Sequence, residues 1–332
     1  MQMYLLLNHD CNLNCHFCIR GRHANHDYLK FEDLQRILRD NDFHDYYLML
    51  TGGEPALHPQ LNEIIDACKS CFKGIAINTN GVESSWVEQC DERRIHVQIS
   101  LDGTQSVHNQ LRGNGIKDIY GSVLETIDKL NRKKISYNIS STVGKYNYEA
   151  IKELCKKMDR FPSMKYWKVS STLPFGCADV QNVISVEQWN ELVDYLLTNA
   201  KVKLRVHKLF DFDLIDRYVS AHPDEIDNIR TNCGDVKYKI YVYPDFSVYP
   251  CTCLTDFPLG NLKDENLENI LNGPKGQCFS QYHVKEDTLC HKCKYLPICN
   301  GGCIGMSYHF FGELGKGDAR CPLIQRELHA TL

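Results

Sequence analysis

The chain has 332 residues, 43% hydrophobic and 24% charged, an ordinary globular composition with enough apolar side chain for a sizeable core. A formal net charge of −4 gives no electrostatic case for nucleic acid or an anionic membrane, and no apolar stretch approaches the roughly 20 residues that span a bilayer. The anomaly is seventeen cysteines: the number is odd and no export signal precedes them, which points away from a disulfide framework and toward metal or redox chemistry in the cytoplasm.

The first predicted strand, Met3–Asn8, runs into CNLNCHFC, which holds Cys11, Cys15 and Cys18 with Phe17 before the last. Three thiolates leave structural zinc or a four-cysteine iron–sulfur cluster one ligand short. The trio therefore reads as a chance grouping, an incomplete zinc site, or a cluster with one metal position kept for something other than protein. The second predicted strand, Tyr46–Leu50, ends in Thr51-Gly52-Gly53-Glu54-Pro55. Its glycines let backbone approach a ligand closely, and the Glu54 carboxylate suits an ammonium group; the plainer reading is a strand-to-helix turn. Leu61, Ile64, Ile65, Cys68 and Phe72 then mark one helix face.

Predicted strands Gly74–Asn78 and His96–Leu101 end in Asn78-Thr79-Asn80-Gly81 and Ser100-Leu101-Asp102-Gly103, and His108 to Arg112 follow. The Asn-Gly and Asp-Gly pairs are also ordinary turn formers. Arg112 reads either as a bidentate carboxylate partner or as half of a surface ion pair. Ile119, Val123, Ile127 and Leu130 share another helix face, and strands Ser136–Val143 and Lys165–Thr172 complete the series. Six strands alternating with helices predict parallel βα units in an open or closed α/β barrel, with functional residues where strands end. Cys68, Cys71, Cys90 and Cys155 fall on helix patterns and read as core or surface thiols.

Residues 201–232 break the alternation and read as a helical bridge. From Cys233 onward come nine of the seventeen cysteines and two strand-like pieces, Tyr238–Tyr243 and Ser247–Tyr249. The expected division is thus 1–205, 206–232 and 233–332. Cys290, Cys293, Cys299 and Cys303 follow the pattern CxxCxxxxxCxxxC, with Cys321 further on and Cys233 and Cys251 upstream. Such CxxC pairs suit zinc and iron–sulfur ligation alike.

Taken with the Gly-Gly-Glu loop, the CxxxCxxC spacing resembles the radical S-adenosylmethionine (SAM) enzymes. The C-terminal cysteines resemble the SPASM domain that some of these enzymes carry. The resemblance implies a partial (β/α)6 TIM barrel followed by a small cysteine-rich domain. It implies a [4Fe–4S] cluster on Cys11, Cys15 and Cys18 whose open iron holds the amino-acid end of SAM. Gly52, Gly53 and Glu54 would contact the methionyl amino group, and Ser100, with Arg112 a second candidate, would lie near the carboxylate. Two auxiliary [4Fe–4S] clusters are implied, one on Cys290, Cys293, Cys299 and Cys321, the other on Cys233, Cys251 and Cys303. The chain departs from the family in having Phe246 where a glycine is usual, and no cysteine between Cys233 and Cys251. Cys253 or Cys278 can complete the second shell, Cys253 being favoured, or one iron is left open to substrate.

The chemistry implied is reductive cleavage of SAM to a 5′-deoxyadenosyl radical that takes a hydrogen atom from an unactivated carbon. A flavodoxin or ferredoxin would supply the electron, and Cys177, at the end of the sixth strand, is a candidate hydrogen-atom donor or a small buried hydrophobe. The substrate expected first is a ribosomally made peptide, to be cross-linked, oxidised or epimerised. Only ten residues precede Cys11, so a separate peptide-recognition protein or a leaderless substrate is expected. The alternatives are oxidation or epimerisation of a small polyol or aminosugar, and a non-enzymatic zinc or iron–sulfur module.

Overall fold

The alternating burial of the strands explains how one sheet makes both a core and a lumen. In the computed structural model, which describes residues 1–21, 26–90, 95–113, 118–224, 229–230 and 239–330, strand β3 (Gly74–Thr79) buries Ile75, Ile77 and Thr79, whereas Gly74, Ala76 and Asn78 are half-buried. Strand β4 (Ile95–Ser100) likewise buries Ile95, Val97 and Ile99 and leaves His96, Gln98 and Ser100 on the other face. The period of two sends the branched apolar row toward the helices and a polar row toward the interior of the curved sheet.

Among the described residues eleven strands form one sheet. Its centre is β1 (Gln2–Leu6), β2 (Tyr47–Thr51), β3, β4, β5 (Ser136–Val143) and β6 (Met164–Ser171), each parallel to the next. Helices α1 (Phe31–Asp40), α2 (Leu61–Cys68), α3 (Gln105–Arg112), α4 (Ile119–Lys133) and α5 (Tyr148–Cys155) supply the crossovers. The four apolar residues expected on one face of α4 are all buried. These six strands match the predicted set within a residue or two at each end, and they form the expected partial barrel.

The sheet extends past both expected edges. Strands β7 (Leu204–His207) and β8 (Ile229–Arg230) add parallel strands beyond β6. The segment read as a helical bridge therefore contributes two strands besides helix α7 (Phe212–Ala221), which follows α6 (Val186–Asn199). The alternation Leu204, Val206 buried against Arg205, His207 half-buried was present in the sequence, but charge concealed it. On the other edge β9 (Lys239–Val242) lies parallel to β1, and β10 (Ser247–Tyr249) and β11 (Gly260–Asn261) continue antiparallel. The C-terminal cysteine-rich region thus shares the barrel's own sheet.

Phe246 sits in the β9–β10 turn with φ +69° and is fully buried. The turn keeps the left-handed backbone that a glycine would adopt freely, so the departure from the family leaves its geometry intact. Burying the ring has to outweigh the strain of that conformation, about 3–5 against about 1–3 kcal/mol. Phe246→Gly is therefore expected to destabilise the protein, by about 2 kcal/mol. A urea midpoint equal to or above wild type would show that strain dominates.

Candidate active site

The catalytic end of the barrel is assembled where β1 to β6 end. Cys11, Cys15, Cys18, Glu54, Ser100 and Arg112 together line one cavity of about 290 Å³, with Asn78, Gln98 and Thr142 from the polar rows on its wall. Residues from Cys11 to Thr142, 131 positions apart (142 − 11 = 131), thus converge, as the strand-end reading expected.

The glycines make a contact within the protein that the sequence does not announce. A Cβ on Gly53 would fall 2.1 Å from the Asp10 carbonyl oxygen, and one on Gly52 would fall 2.7 Å from that of Asn8. The Gly53 and Glu54 amides donate to Asn8 O (2.9 Å) and Asp10 O (2.7 Å), and Asn8 Nδ2 donates back to Glu54 O (3.0 Å). The two glycines let the loop after β2 lie directly against the cysteine loop. Gly53 also reaches the cavity wall, whereas Gly52 is not among its lining residues.

Glu54 is buried, and its carboxylate accepts from Thr79 Oγ1 (2.7 Å), the Asn80 amide (2.7 Å) and the Ala56 amide (3.1 Å). Burial pushes its carboxyl up to about 7 in spite of these donors. The Asn80 side chain in turn places Nδ2 3.8 Å from the Cys11 sulfur and donates to Asn12 Oδ1 (2.7 Å). The Asn-Thr-Asn-Gly segment therefore does more than turn the chain.

Arg112 is half of a buried pair rather than a surface one. Its Nε donates to Asp102 Oδ2, and Nη1 lies 3.7 Å from the Cys15 sulfur. The guanidinium also sits 5.3 Å from the centre of the Phe17 ring. Asp102 is fully buried, and its other oxygen accepts the Thr142 amide (2.7 Å). His108 packs beside the pair and is kept neutral, its imidazole pushed down to about 4 chiefly by burial. The last residues of α3 hold the cysteine loop by backbone as well, with the His16 amide donating to Leu111 O (3.1 Å). Sequence reading treated Asp102 only as a turn former; nothing in Asp-Gly announces a buried counterion.

Burial pushes the Cys11 thiol up to about 12 and raises that of Cys15, against which the Arg112 charge acts. Iron must displace both protons.

Two further groups of thiols lie in the C-terminal region. Cys290, Cys293, Cys299 and Cys321 line one pocket with Phe210, Leu296 and Ile324. Gly317 backs it, where a Cβ would fall 2.5 Å from the Cys290 sulfur. Cys251 and Cys253 form the second group: the Cys253 thiol donates to Cys251, which with Lys239 and Lys208 nearby brings Cys251 down to about 6, while Cys253 is raised. Cys303 lies close enough to Cys253 to act on its charge, and the two pack with Ile19, Leu173, Phe175 and Met306. Cys278 is exposed on the helix Pro274–Ser280. Cys233 lies outside the described residues.

The profile of the radical SAM superfamily matches residues 5–158, and that of an iron–sulfur cluster-binding domain, SPASM, matches residues 233–294. The chain belongs to the radical SAM superfamily. This radical SAM enzyme is 25% identical over 328 residues to a cysteine-type anaerobic sulfatase-maturating enzyme of Clostridium novyi, covering 89% of this chain and 85% of that one. It is 28% identical over 321 residues to the antilisterial bacteriocin subtilosin biosynthesis protein AlbA of Bacillus subtilis, covering 90% of this chain and 65% of AlbA. A solved structure described as native anSMEcpe with bound AdoMet shares the fold at TM-score 0.76 and 19% identity, covering 99% of this chain and 96% of that one.

The donor sets of this radical SAM enzyme fit the clusters that its two domains imply. No three His, Cys, Asp or Glu among the described residues gather around a point that one metal ion could occupy. A four-iron cube gives each thiolate its own iron, so its ligands stand apart around a cavity, as the two cysteine-lined cavities have them. The Asn80 amide and Arg112 guanidinium aimed at cysteine sulfurs are of the type that tunes such a cluster.

Two further residues are placed by the fold. Cys177, read as a candidate hydrogen donor, uses its amide to donate to Cys18 O (2.8 Å) and is not among the residues lining the cavity. Its segment braces the cysteine loop, with Gly176 close against Cys18 O. Lys208, which sequence reading passed over, holds φ +66°, lines the cavity and donates from Nζ to Ser171 O (3.0 Å). Its charge also acts on Cys251 and Cys253.

Proposed function

We propose that this enzyme is a maturase that modifies a residue of a ribosomally made peptide or protein by hydrogen abstraction. The observation that carries the reading is a shared wall: Ile19 and Leu173 line the SAM cavity and pack against Cys253 and Cys303. A substrate carbon in that cavity lies between the two cluster sites. When bound, the cluster and SAM supply a 5′-deoxyadenosyl radical, which performs the hydrogen abstraction. Both relatives named above are described as maturation or biosynthesis proteins, one of a sulfatase and one of a bacteriocin.

Cys11, Cys15 and Cys18 hold the SAM cluster in this reading. Glu54 accepts the ammonium of SAM, with the Gly53 backbone beside it, and Ser100 contacts its carboxylate. Gly52 acts through loop packing. Cys290, Cys293, Cys299 and Cys321 bind one auxiliary cluster; Cys251, Cys253, Cys303 and Cys233 bind the other. The division at 205 and 233 then separates radical generation from electron handling. A cytoplasmic flavodoxin or ferredoxin supplies the electron, and a separate recognition protein delivers the peptide.

Anaerobic reconstitution with iron and sulfide, followed by assay for 5′-deoxyadenosine and mass spectrometry of candidate peptides, tests the proposal. Nucleoside release that is lost in Cys11→Ala, with a mass change in a peptide, is expected. No nucleoside release under reducing conditions sinks the enzyme assignment, and release with turnover only of a polyol or aminosugar sinks the peptide.

The Glu54 role carries its own pH signature. A carboxyl titrating at about 7 must lose its proton to accept an ammonium, so SAM affinity should rise up to tenfold per pH unit below 7 and level off above it. Glu54→Gln should weaken SAM binding at pH 8 by at least tenfold and abolish that slope. Calorimetry on reconstituted protein from pH 5.5 to 8.5 checks both, and an unchanged slope in the variant would assign the titration elsewhere.

A further inference from the structure

One carboxylate lies between the two groups of C-terminal thiols. Among the described residues the pocket of Cys290, Cys293, Cys299 and Cys321 is lined by cysteines, apolar side chains and a glycine, with Asp318 the single exception. Asp318 is 1% exposed, and a charge so placed acts through little water.

Both of its oxygens are engaged twice. Oδ1 accepts the Arg320 amide (3.0 Å) and Arg320 Nε (2.9 Å), and Oδ2 accepts Arg320 Nη2 (2.6 Å) and the Cys303 amide (3.0 Å). The carboxylate therefore acts on a cluster in this pocket through its charge rather than as an iron ligand. The glycine before Cys303 permits the approach: a Cβ on Gly302 would fall 2.6 Å from Asp318 Cβ. Through the Cys303 amide the same carboxylate fixes the backbone of a thiol assigned above to the other auxiliary cluster.

The ion pair has a direction. Its carboxylate end lines the Cys290 pocket, whereas Arg320 is not among the lining residues of that pocket or of the SAM cavity. Arg320 Nη1 lies 3.5 Å from Ser171 Oγ, on the SAM cavity wall, and the guanidinium stands 5.2 Å from the centre of the Phe210 ring. Burial raises the Cys290 thiol, to about 12, and the Cys321 thiol, and the Asp318 charge adds to both effects. A field that opposes a thiolate also opposes an electron added to a cluster on the same sulfurs, because net charge and hydrogen bonding around a cluster set its potential. We infer that Asp318, held by Arg320, lowers the reduction potential of the cluster on Cys290, Cys293, Cys299 and Cys321. A bias of this sign makes the reduced cluster a stronger electron donor. The two residues are positioning residues, and their role rests on the cluster assignment made above.

An EPR-monitored redox titration of anaerobically reconstituted protein tests this, at pH 8.5, well above the ordinary carboxyl range. The signal altered in Cys290→Ala belongs to the cluster in question. Asp318→Asn keeps an acceptor oxygen for the Cys303 amide and removes the charge. Its reduction equilibrium should move at least tenfold toward the reduced form, about 59 mV upward for one electron. Arg320→Gln should move it the opposite way, and Asp318→Asn with Arg320→Gln, which restores the net charge of the pair, should return it toward wild type. Shifts of opposite sign that cancel report charge, whereas loss of a merely structural pair would leave the double variant displaced as far as either single one. Should Asp318→Asn fail to fold, the direction of the shift in Arg320→Gln decides alone. A smaller shift in Asp318→Asn, shifts of one sign in both single variants, or no return in the double variant would each overturn the inference. Iron and sulfide sufficient for the SAM cluster alone would sink the auxiliary-cluster assignment and the inference with it; full loading with unmoved potentials sinks the inference only.

Discussion

Asp102→Ala is expected to be the most damaging single substitution outside the cluster ligands. Asp102 is fully buried and is the carboxylate to which Arg112 Nε donates, and its second oxygen accepts the Thr142 amide. Deleting one partner of a buried pair leaves the other charge uncompensated, which costs about 3–5 kcal/mol. The damage also travels: Arg112 Nη1 then loses its aim at the Cys15 sulfur, 3.7 Å away, and the guanidinium no longer flanks the Phe17 ring. The variant should therefore melt well below wild type and retain less iron after reconstitution. Asp102→Ala combined with Arg112→Met should recover part of the stability, because no charge is then stranded, but not the SAM cleavage. Equal stability of the single and double variants would mean that the pair is not coupled in this way.

Gly53→Ala should nearly abolish SAM binding while sparing most of the remaining fold. The added methyl would meet the Asp10 carbonyl carbon and oxygen at 2.5 and 2.1 Å, and backbone cannot yield as a flexible side chain can. The loop after β2 must then separate from the cysteine loop, breaking the Gly53 and Glu54 amide bonds to Asn8 and Asp10. Glu54 and Cys11 face the same cavity from those two loops. An ångström of separation there costs about 100-fold in the rate of a reaction that depends on orientation, and it also parts the groups that would hold SAM. Circular dichroism close to wild type, together with SAM affinity reduced at least 100-fold, is the expected pair of results. Near-normal affinity would show that the loops tolerate the shift.

The barrel was legible because its signal is local and periodic: Ile75 and Ile77, or Ile119 to Leu130, announce their elements without reference to anything distant. The cysteine groups were legible because thiols at such spacings have few uses other than metal or redox chemistry. Direction was not legible. Asp102 and Arg112 were both noticed, but only the folded chain turns one onto the other. Gly53 was seen to permit a close approach, while its partner, the Asp10 carbonyl, comes from another loop. Lys208 carries no motif, and its place depends on β7, whose charged neighbours disguised a strand as part of a bridge. Cys253 was preferred over Cys278 on nearness in sequence, and the side chains do lie beside Cys251 and Cys303.

The pairing of β1 with β9 has a consequence for biosynthesis. Gln2 to Leu5 leave the ribosome 237 residues ahead of their partners on one side, Lys239 to Val242 (239 − 2 = 237). At about 5–20 residues per second, the strand leading to the cysteine trio waits roughly ten seconds or longer with one edge bare. That edge is apolar, with Met3, Leu5 and Leu6 destined for the core, and bare apolar edges recruit other chains. Iron delivered during that interval would meet a loop whose supporting sheet is half built. Maturation of this protein therefore favours chaperone protection of the nascent barrel, with cluster insertion after the chain is complete.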